Sequence, residues 1–341
     1  MKVAVLMGGS SEERPVSLVS GAEVASALRG RGHEVVAVDP ATGVLSRERE
    51  RELRESGVAR EAPPSPGPGG SDPLLLLAEA LRACAPDVVF PALHGGAGED
   101  GTVQSLLDLI GVPYAGSGHT GCALAMDKDL TKRLLRDAGI PTPEWITGHA
   151  PAERVVADLG LPLIVKPPRG GSTLGLTLVR CADEISAAEE QALAYGGEVM
   201  FERYVRGREL TVGILGEEAL PPGEIIPENE IFDYECKYQP GMAREIFPAH
   251  ITEDVAAGLR RQALAVHRVL RLEGFSRVDF ILDSAGTPWC LEANALPGLT
   301  PASLLPRAGR AAGLSFGELC ERIAILALSG RAAPVAAGSR A

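Results

Sequence analysis

Four polar residues near the C-terminal end have types and spacing suited to chemistry: Arg277, Asp279, Glu292 and Asn294. They lie in two short segments, Arg277-Val278-Asp279-Phe280-Ile281-Leu282 and Trp289-Cys290-Leu291-Glu292-Ala293-Asn294, which alternate apolar and polar residues as strands do. Asp283-Ser284-Ala285-Gly286-Thr287 between them carries turn residues, so the two segments read as a hairpin. Residues at i and i+2 share a strand face, which groups Arg277 with Asp279 and Glu292 with Asn294. With Asp279 across from Glu292, three oxygen ligands for a hard divalent cation stand beside one guanidinium. That register needs a four-residue connection or a bulge, and a slip of one residue would turn Glu292 to the opposite face. Acidic residues on strands often just face water; the concentration of charge on an otherwise apolar hairpin favours the cation site.

A second cluster suits phosphate. The strand Leu163-Ile164-Val165-Lys166-Pro167 leads into Arg169-Gly170-Gly171-Ser172-Thr173-Leu174-Gly175 and then into the strand Leu176-Thr177-Leu178-Val179. Successive small residues expose backbone N–H groups, Ser172 and Thr173 add hydroxyls, and Lys166 adds a point charge. A plain hairpin turn has the same glycines. The loop differs from a Walker loop, which leads into a helix and ends in Gly-Lys-Ser/Thr. Lys128 opens a helical segment that reaches Arg136 and stops at Gly139, where it serves either phosphate or solvent. Glu202 and Glu209 flank a strand edge, as acceptors for adenine and ribose or as ordinary surface glutamates. Asp233-Tyr234-Glu235-Cys236-Lys237-Tyr238, among Pro and Gly, is a lid or a loose connection. Leu296 to Leu304 follows the hairpin and predicts a helix start near Pro301, whose N–H groups around Ser303 and Leu304 suit a carboxylate.

These residues need a frame, and the N-terminal half supplies one. Val3 to Met7 is a buried-strand run, Gly8-Gly9-Ser10-Ser11 a tight loop, and Pro15 an early helical residue before the periodic Val16 to Leu28. Val35 to Val38 is a second strand, Leu74 to Cys84 a second helix, and Val88 to Leu93 a third strand ending at His94-Gly95-Gly96. Parallel sheets bind ligands at the carboxyl ends of their strands, so Gly8 to Glu13 and His94 to Asp100 should open onto one crevice. Arg47 to Asp72 reads as a surface excursion that need not be ordered, a terminal helix spans Leu319 to Leu328, and residues 331–341 read as a disordered tail.

The chain has 341 residues, enough for two or three domains. A formal charge of -12 speaks against nucleic acid and anionic membranes as partners, so phosphate must be met by a local cluster. Only five lysines occur (Lys2, Lys128, Lys132, Lys166, Lys237), and three fall within the motifs above. Six scattered cysteines without metal-ligand spacing read as reduced thiols of a cytoplasmic protein, and no segment is apolar for long enough to span a bilayer. A Rossmann-type oxidoreductase is a poor reading, because Gly8-Gly9-Ser10-Ser11 lacks G-x-G-x-x-G. A nucleotide-binding protein without catalysis is the other alternative to an enzyme.

In order along the chain stand Gly8-Gly9-Ser10-Ser11-Glu12-Glu13 with Val16-Ser17-Leu18, His94-Gly95-Gly96-Ala97-Gly98-Glu99-Asp100-Gly101, Met126-Asp127-Lys128, Lys166-Pro167 with Gly171-Ser172-Thr173, Tyr234-Glu235-Cys236-Lys237-Tyr238, and Arg277 to Leu304. Together they resemble the D-alanine:D-alanine ligases of the ATP-grasp superfamily, from Met1 to about Gly330. The resemblance implies an α/β fold with an N-terminal parallel α/β domain (1–117) followed by two ATP-grasp domains clamping the nucleotide, a central lid domain (118–200) and a C-terminal catalytic domain (201–330). It implies ATP-driven joining of two D-alanine molecules through an acyl phosphate for peptidoglycan synthesis, by a cytoplasmic homodimer. Two Mg2+ ions, replaceable by Mn2+, would be held by Asp279, Glu292 and Asn294. Lys128, Lys166 and Lys237 would contact phosphates, with Ser172 in the same loop, while Glu202 and Glu209 would hold adenine and ribose. Glu13 would pair with the first ammonium, His94 would line the substrate site, and Ser303 with the Leu304 N–H would bind the second carboxylate. Arg277 and the Gly298 N–H would form the oxyanion site, and Glu13, Ser172 and Tyr238 would latch the lid. Ala295, Thr173 and Pro15 depart from the usual pattern, the first two beside metal or phosphate ligands without removing one. Tyr238 matches enzymes that take an amine as second substrate, which favours the dipeptide over siblings using D-lactate, D-serine or another amino acid.

Overall fold

The computed structural model describes residues 1–57, 73–171, 173–228 and 242–330, and among these the strands form three sheets. The first comprises β1 (Lys2–Leu6), β2 (Glu34–Asp39), β3 (Gly43–Val44) and β4 (Val88–Pro91), in the order β3-β2-β1-β4. β1 runs parallel to both β2 and β4, and Val3 to Leu6 are fully buried. An uninterrupted apolar run suits such a strand, because helices cover both faces of a parallel sheet. The turn out of β1 needs left-handed backbone at Gly8 and Gly9 (φ +86° and +83°), after which the helix Arg14–Gly30 begins with its proline in the first turn.

Part of the expected surface excursion is ordered. Arg47–Ser56 is a helix whose N-cap Ser46 accepts a hydrogen bond from the Arg49 N–H. It buries Leu53 and Glu50, the latter paired with Arg29. Leu53 is its one apolar residue, so hydrophobic periodicity could not reveal it. Residues 58–72 and 331–341 lie outside the described residues.

The second sheet is small and antiparallel: β5 (Trp145–Thr147), β6 (Leu163–Lys166), β7 (Thr177–Val179) and β8 (Met200–Arg203), in the order β5-β8-β6-β7. β8 extends past residue 200, so a division at 200/201 would cut this strand. The third sheet contains β9 (Gly207–Leu215), β10 (Glu218–Ala219), β11 (Gly223–Pro227), β12 (Ala243–Ile246), β13 (Phe275–Asp283) and β14 (Pro288–Asn294). Its order is β12-β11-β9-β13-β14, with β10 on β9.

The apolar cores show which sheets pack together. One cluster joins Val3 and Phe90 of the first sheet to Phe275 of the third and to Leu305 and Ile323 of the last helices, with the Phe90 and Phe275 rings 6.3 Å apart. The small sheet has a core of its own, including Val155, Leu163, Val165, Ile185 and Phe201. The first and third sheets are thus fused through shared apolar contacts, while the small sheet packs around a separate core.

The helix expected near Pro301 begins later, at Leu304, and runs to Ala311. Ser303 takes the N-cap with extended backbone, and its Oγ accepts from the Thr300 N–H at 3.1 Å, which places Pro301 in the preceding turn. Phe316–Gly330 is the terminal helix.

Candidate active site

The hairpin of β13 and β14 pairs Asp279 with Glu292 and Arg277 with Asn294. A register shift after Asp279 leaves Leu291 as the extra residue, so all four polar side chains share one face. Asp279 is buried and well satisfied: Arg277 donates from Nε (2.9 Å) and Nη2 (2.8 Å), Asn294 from Nδ2 (3.1 Å), and Thr211 of β9 from Oγ1 (2.6 Å). Glu292 stands 3.5 Å from Lys128 Nζ, which also donates to the Gly170 carbonyl at 2.8 Å. Lys128 therefore ties the hairpin to the glycine loop of the small sheet.

The donor set fits a hard cation. Two carboxylates and an amide oxygen are all-oxygen ligands, and Mg2+ is commonly held by one or two carboxylates with substrate phosphates completing the octahedron. Among the described residues no group of three His, Cys, Asp or Glu side chains is gathered as a metal site.

A crevice of about 550 Å³ lies between the small and third sheets, lined by Ile164, Lys166, Glu202, Glu209, Asp279 and Glu292 among others. Glu202 and Glu209 reach it from different sheets, one on β8 and the other on β9. Glu202 is buried with Lys166 Nζ 2.7 Å from Oε1 and Lys132 Nζ 2.6 Å from Oε2. Burial opposes its charge, but the two ammonium groups prevail and hold it below the usual glutamate range.

Arg277 and Glu292 also line a cavity of about 200 Å³ that holds Glu13, His94, Glu99, Asn294, Gly298, Ser303 and Leu304. Here the carboxyl ends of β1 and β4 deliver Glu13 and His94, as parallel-sheet geometry requires. His94 is buried with Nε2 3.2 Å from Ser20 Oγ, and desolvation lowers its pKa, which keeps the ring neutral. The loop carrying Glu13 is braced by Asp39, which accepts from the Gly9 N–H (3.0 Å) and from Arg14 Nη2 (2.6 Å).

Some participants had no role assigned from sequence. Glu99 accepts from the Gly95 N–H at 2.7 Å, and burial together with the charge of Glu13 pushes its pKa up to about 8. Glu245 lines the same cavity and pairs with Arg307 at 2.5 Å. Thr211, Asp39 and Lys132 complete the set. Glu99 lay inside a quoted motif, and Lys132 was conspicuous as one of few lysines, four residues after Lys128; Asp39, Thr211 and Glu245 left no local signal. Of the expected residues, Ser172, Lys237 and Tyr238 lie outside the described residues.

Residues 2–117 match the family model described as D-ala D-ala ligase N-terminus, and residues 134–325 match that described as D-ala D-ala ligase C-terminus. The chain belongs to the D-ala D-ala ligase family. Relatives within the family include the D-alanine--D-alanine ligase of Moorella thermoacetica, 42% identical with 96% of this chain and 99% of that one covered. Another is that of Nitrosospira multiformis, 43% identical with 96% of each covered. Among solved ligases, the D-alanine--D-alanine ligase from Bacillus anthracis superposes with a TM-score of 0.77 at 31% identity, covering 96% of this chain and 98% of that one. The VanG D-Ala:D-Ser ligase from Enterococcus faecalis gives 0.78 at 29% identity, covering 96% and 99%. The mixed α/β fold is thus that of the ligase family.

Proposed function

We propose that this chain joins two D-alanine molecules into D-alanyl-D-alanine, using ATP, for peptidoglycan precursor synthesis. The observation that carries the reading is the wall that the two cavities share. Arg277 and Glu292 line both, so a phosphate chain beside Lys166 and a small zwitterion beside Glu13 would meet at the hairpin. A carboxylate is a poor electrophile; phosphorylation by ATP turns it into an acyl phosphate with a good leaving group, which a second amine attacks.

Each residue then has a task. Lys128 and Lys166 face the phosphates, and Glu209 with Glu202 borders the nucleoside end. Asp279, Glu292 and Asn294 would hold Mg2+, which when bound would offset negative charge on the phosphates. Glu13 receives the first ammonium, in a cavity wall whose neutral His94 adds no competing positive charge. Arg277 and the Gly298 N–H stabilise the oxyanion, and Ser303 with the Leu304 N–H, at a helix N-terminus, takes the second carboxylate. Ser172, Lys237 and Tyr238 keep the phosphate and latch roles that the resemblance gives them. The N-terminal, lid and catalytic units span 1–117, 118–203 and 204–330, the second boundary moved from 200/201 so that β8 stays whole in the lid sheet. The working form is a cytoplasmic homodimer.

The test is phosphate release from ATP with Mg2+ across a panel of D-alanine, D-serine and D-lactate. D-alanine should turn over fastest; turnover only with D-lactate or D-serine as second substrate would move the chain to a sibling ligase. Glu292→Gln removes one ligand charge and should abolish turnover while leaving the melting profile intact. A near-normal rate in that variant would exclude the hairpin as the metal site.

A further inference from the structure

Lys132 is fully buried, an unusual place for an ammonium group. It lies on the helix Lys128–Asp137, and its Nζ donates to Thr142 Oγ1 (2.7 Å) and the Pro143 carbonyl (3.1 Å). Its third neighbour is Glu202 Oε2 at 2.6 Å, and the Trp145 ring centroid is 5.5 Å away. Thr142 in turn donates to the Cys290 carbonyl at 2.9 Å, and the Cys290 N–H donates to Pro141 at 2.8 Å. Lys132 thus sits where the helix, the small sheet and the hairpin strand meet.

The local charges do not balance. Two ammonium groups, Lys132 and Lys166, share the single carboxylate of Glu202. Lys166 lines the crevice beside the glycine loop, whereas among the described residues Lys132 lines none of the cavities that make up the site. A buried carboxylate stripped of its counter-ion is strongly disfavoured. With Lys166 as its only partner, Glu202 would hold that lysine back from any arriving anion. With Lys132 in place, Glu202 stays neutralised when Lys166 turns away.

We infer that Lys132 is a positioning residue: it is the standing counter-ion of Glu202, and its presence releases Lys166 to bind the nucleotide phosphates. This rests on the reading above that Lys166 meets phosphate. Lys132 touches no substrate itself, so its effect must pass through Glu202 and be selective for ATP over D-alanine.

The experiment is a double-mutant cycle on the full-length protein, read as ATP binding by calorimetry and as KM for ATP and D-alanine. Lys132→Met should raise the Kd and KM for ATP at least about tenfold, with the D-alanine KM within about twofold. In the Glu202→Gln background, where no charge retains Lys166, the same substitution should change ATP affinity by less than about twofold. An equal loss in both backgrounds, or equal losses for ATP and D-alanine, would show a merely structural role and overturn the inference. If Lys132→Met alone does not fold, the comparison is between Glu202→Gln and the double variant, which lacks both the Glu202 carboxylate and the Lys132 ammonium. Equal ATP affinity in those two supports the inference, and a tenfold gap sinks it. Lys166→Met separates the premise from the conclusion. Unchanged ATP affinity there removes the phosphate reading and this inference together, while a loss there with none in Lys132→Met removes only the inference.

Discussion

Gly171→Ala would crowd the proposed ammonium site. A Cβ at residue 171 would lie 2.7 Å from Glu13 Oε2, inside the 3.4 Å at which ordinary contact begins, so the oxygen must retreat by about 0.7 Å. It has little room, because Glu13 is only 7% exposed. Gly171 is outside the left-handed region, so the substitution itself adds no backbone strain. Displacing the carboxylate forfeits a charge-assisted hydrogen bond to the first ammonium, worth ~1.5–3 kcal/mol. At 1.4 kcal/mol per factor of ten, the KM for the first D-alanine should rise about ten- to a hundredfold. Initial rates of phosphate release against D-alanine at saturating ATP would read it, with the ATP KM and the melting temperature as internal references. Gly170→Ala is the control: its φ of +115° makes any side chain strained, yet a Cβ there meets nothing within 4 Å. An unchanged first KM in Gly171→Ala, or an equal rise in Gly170→Ala, would refute the reasoning.

Two further outcomes follow from the structure. Glu99 has its folded-state pKa raised to about 8 from 4.5, so the native chain keeps a proton that the unfolded chain releases. Its contribution to stability is full below the unfolded value and is lost as pH rises toward the folded one, at up to ~1.4 kcal/mol per pH unit. Glu99→Gln should flatten that slope, read from urea unfolding at about pH 5 and about pH 8; an identical slope in the variant would exclude Glu99 as its source. Phe275→Ala should destabilise the chain by ~3–5 kcal/mol, since the ring is fully buried where the first and third sheets share a core. A loss below ~1 kcal/mol in urea unfolding would mean that those sheets do not depend on that contact.

The hairpin was legible because everything it needed was local. Alternation named the faces, the turn residues set the connection, and Asp279, Glu292 and Asn294 were separated by few enough residues for register to decide their meeting. The strand and glycine-loop pattern of the first sheet was equally plain, since Val3 to Leu6 and the paired glycines Gly8-Gly9 record buried backbone and left-handed turns directly in residue type. The helix Arg47–Ser56 escaped because its stability comes from one buried leucine and an ion pair to Arg29, a partner from another segment.

What only the tertiary structure decided is how distant charges are shared. Sequence presented Glu202 as an acceptor for nucleotide, Lys132 as one of five lysines and Glu99 as one acid of a motif. Their roles depend on which groups lie within a few ångströms after folding: Lys132 and Lys166 on Glu202, and Glu13 beside Glu99. Electrostatic energy falls with distance and rises with desolvation, and both are set by contacts between elements far apart in the chain. Residue type fixed which groups could ionise; the packing of three sheets fixed which of them face each other.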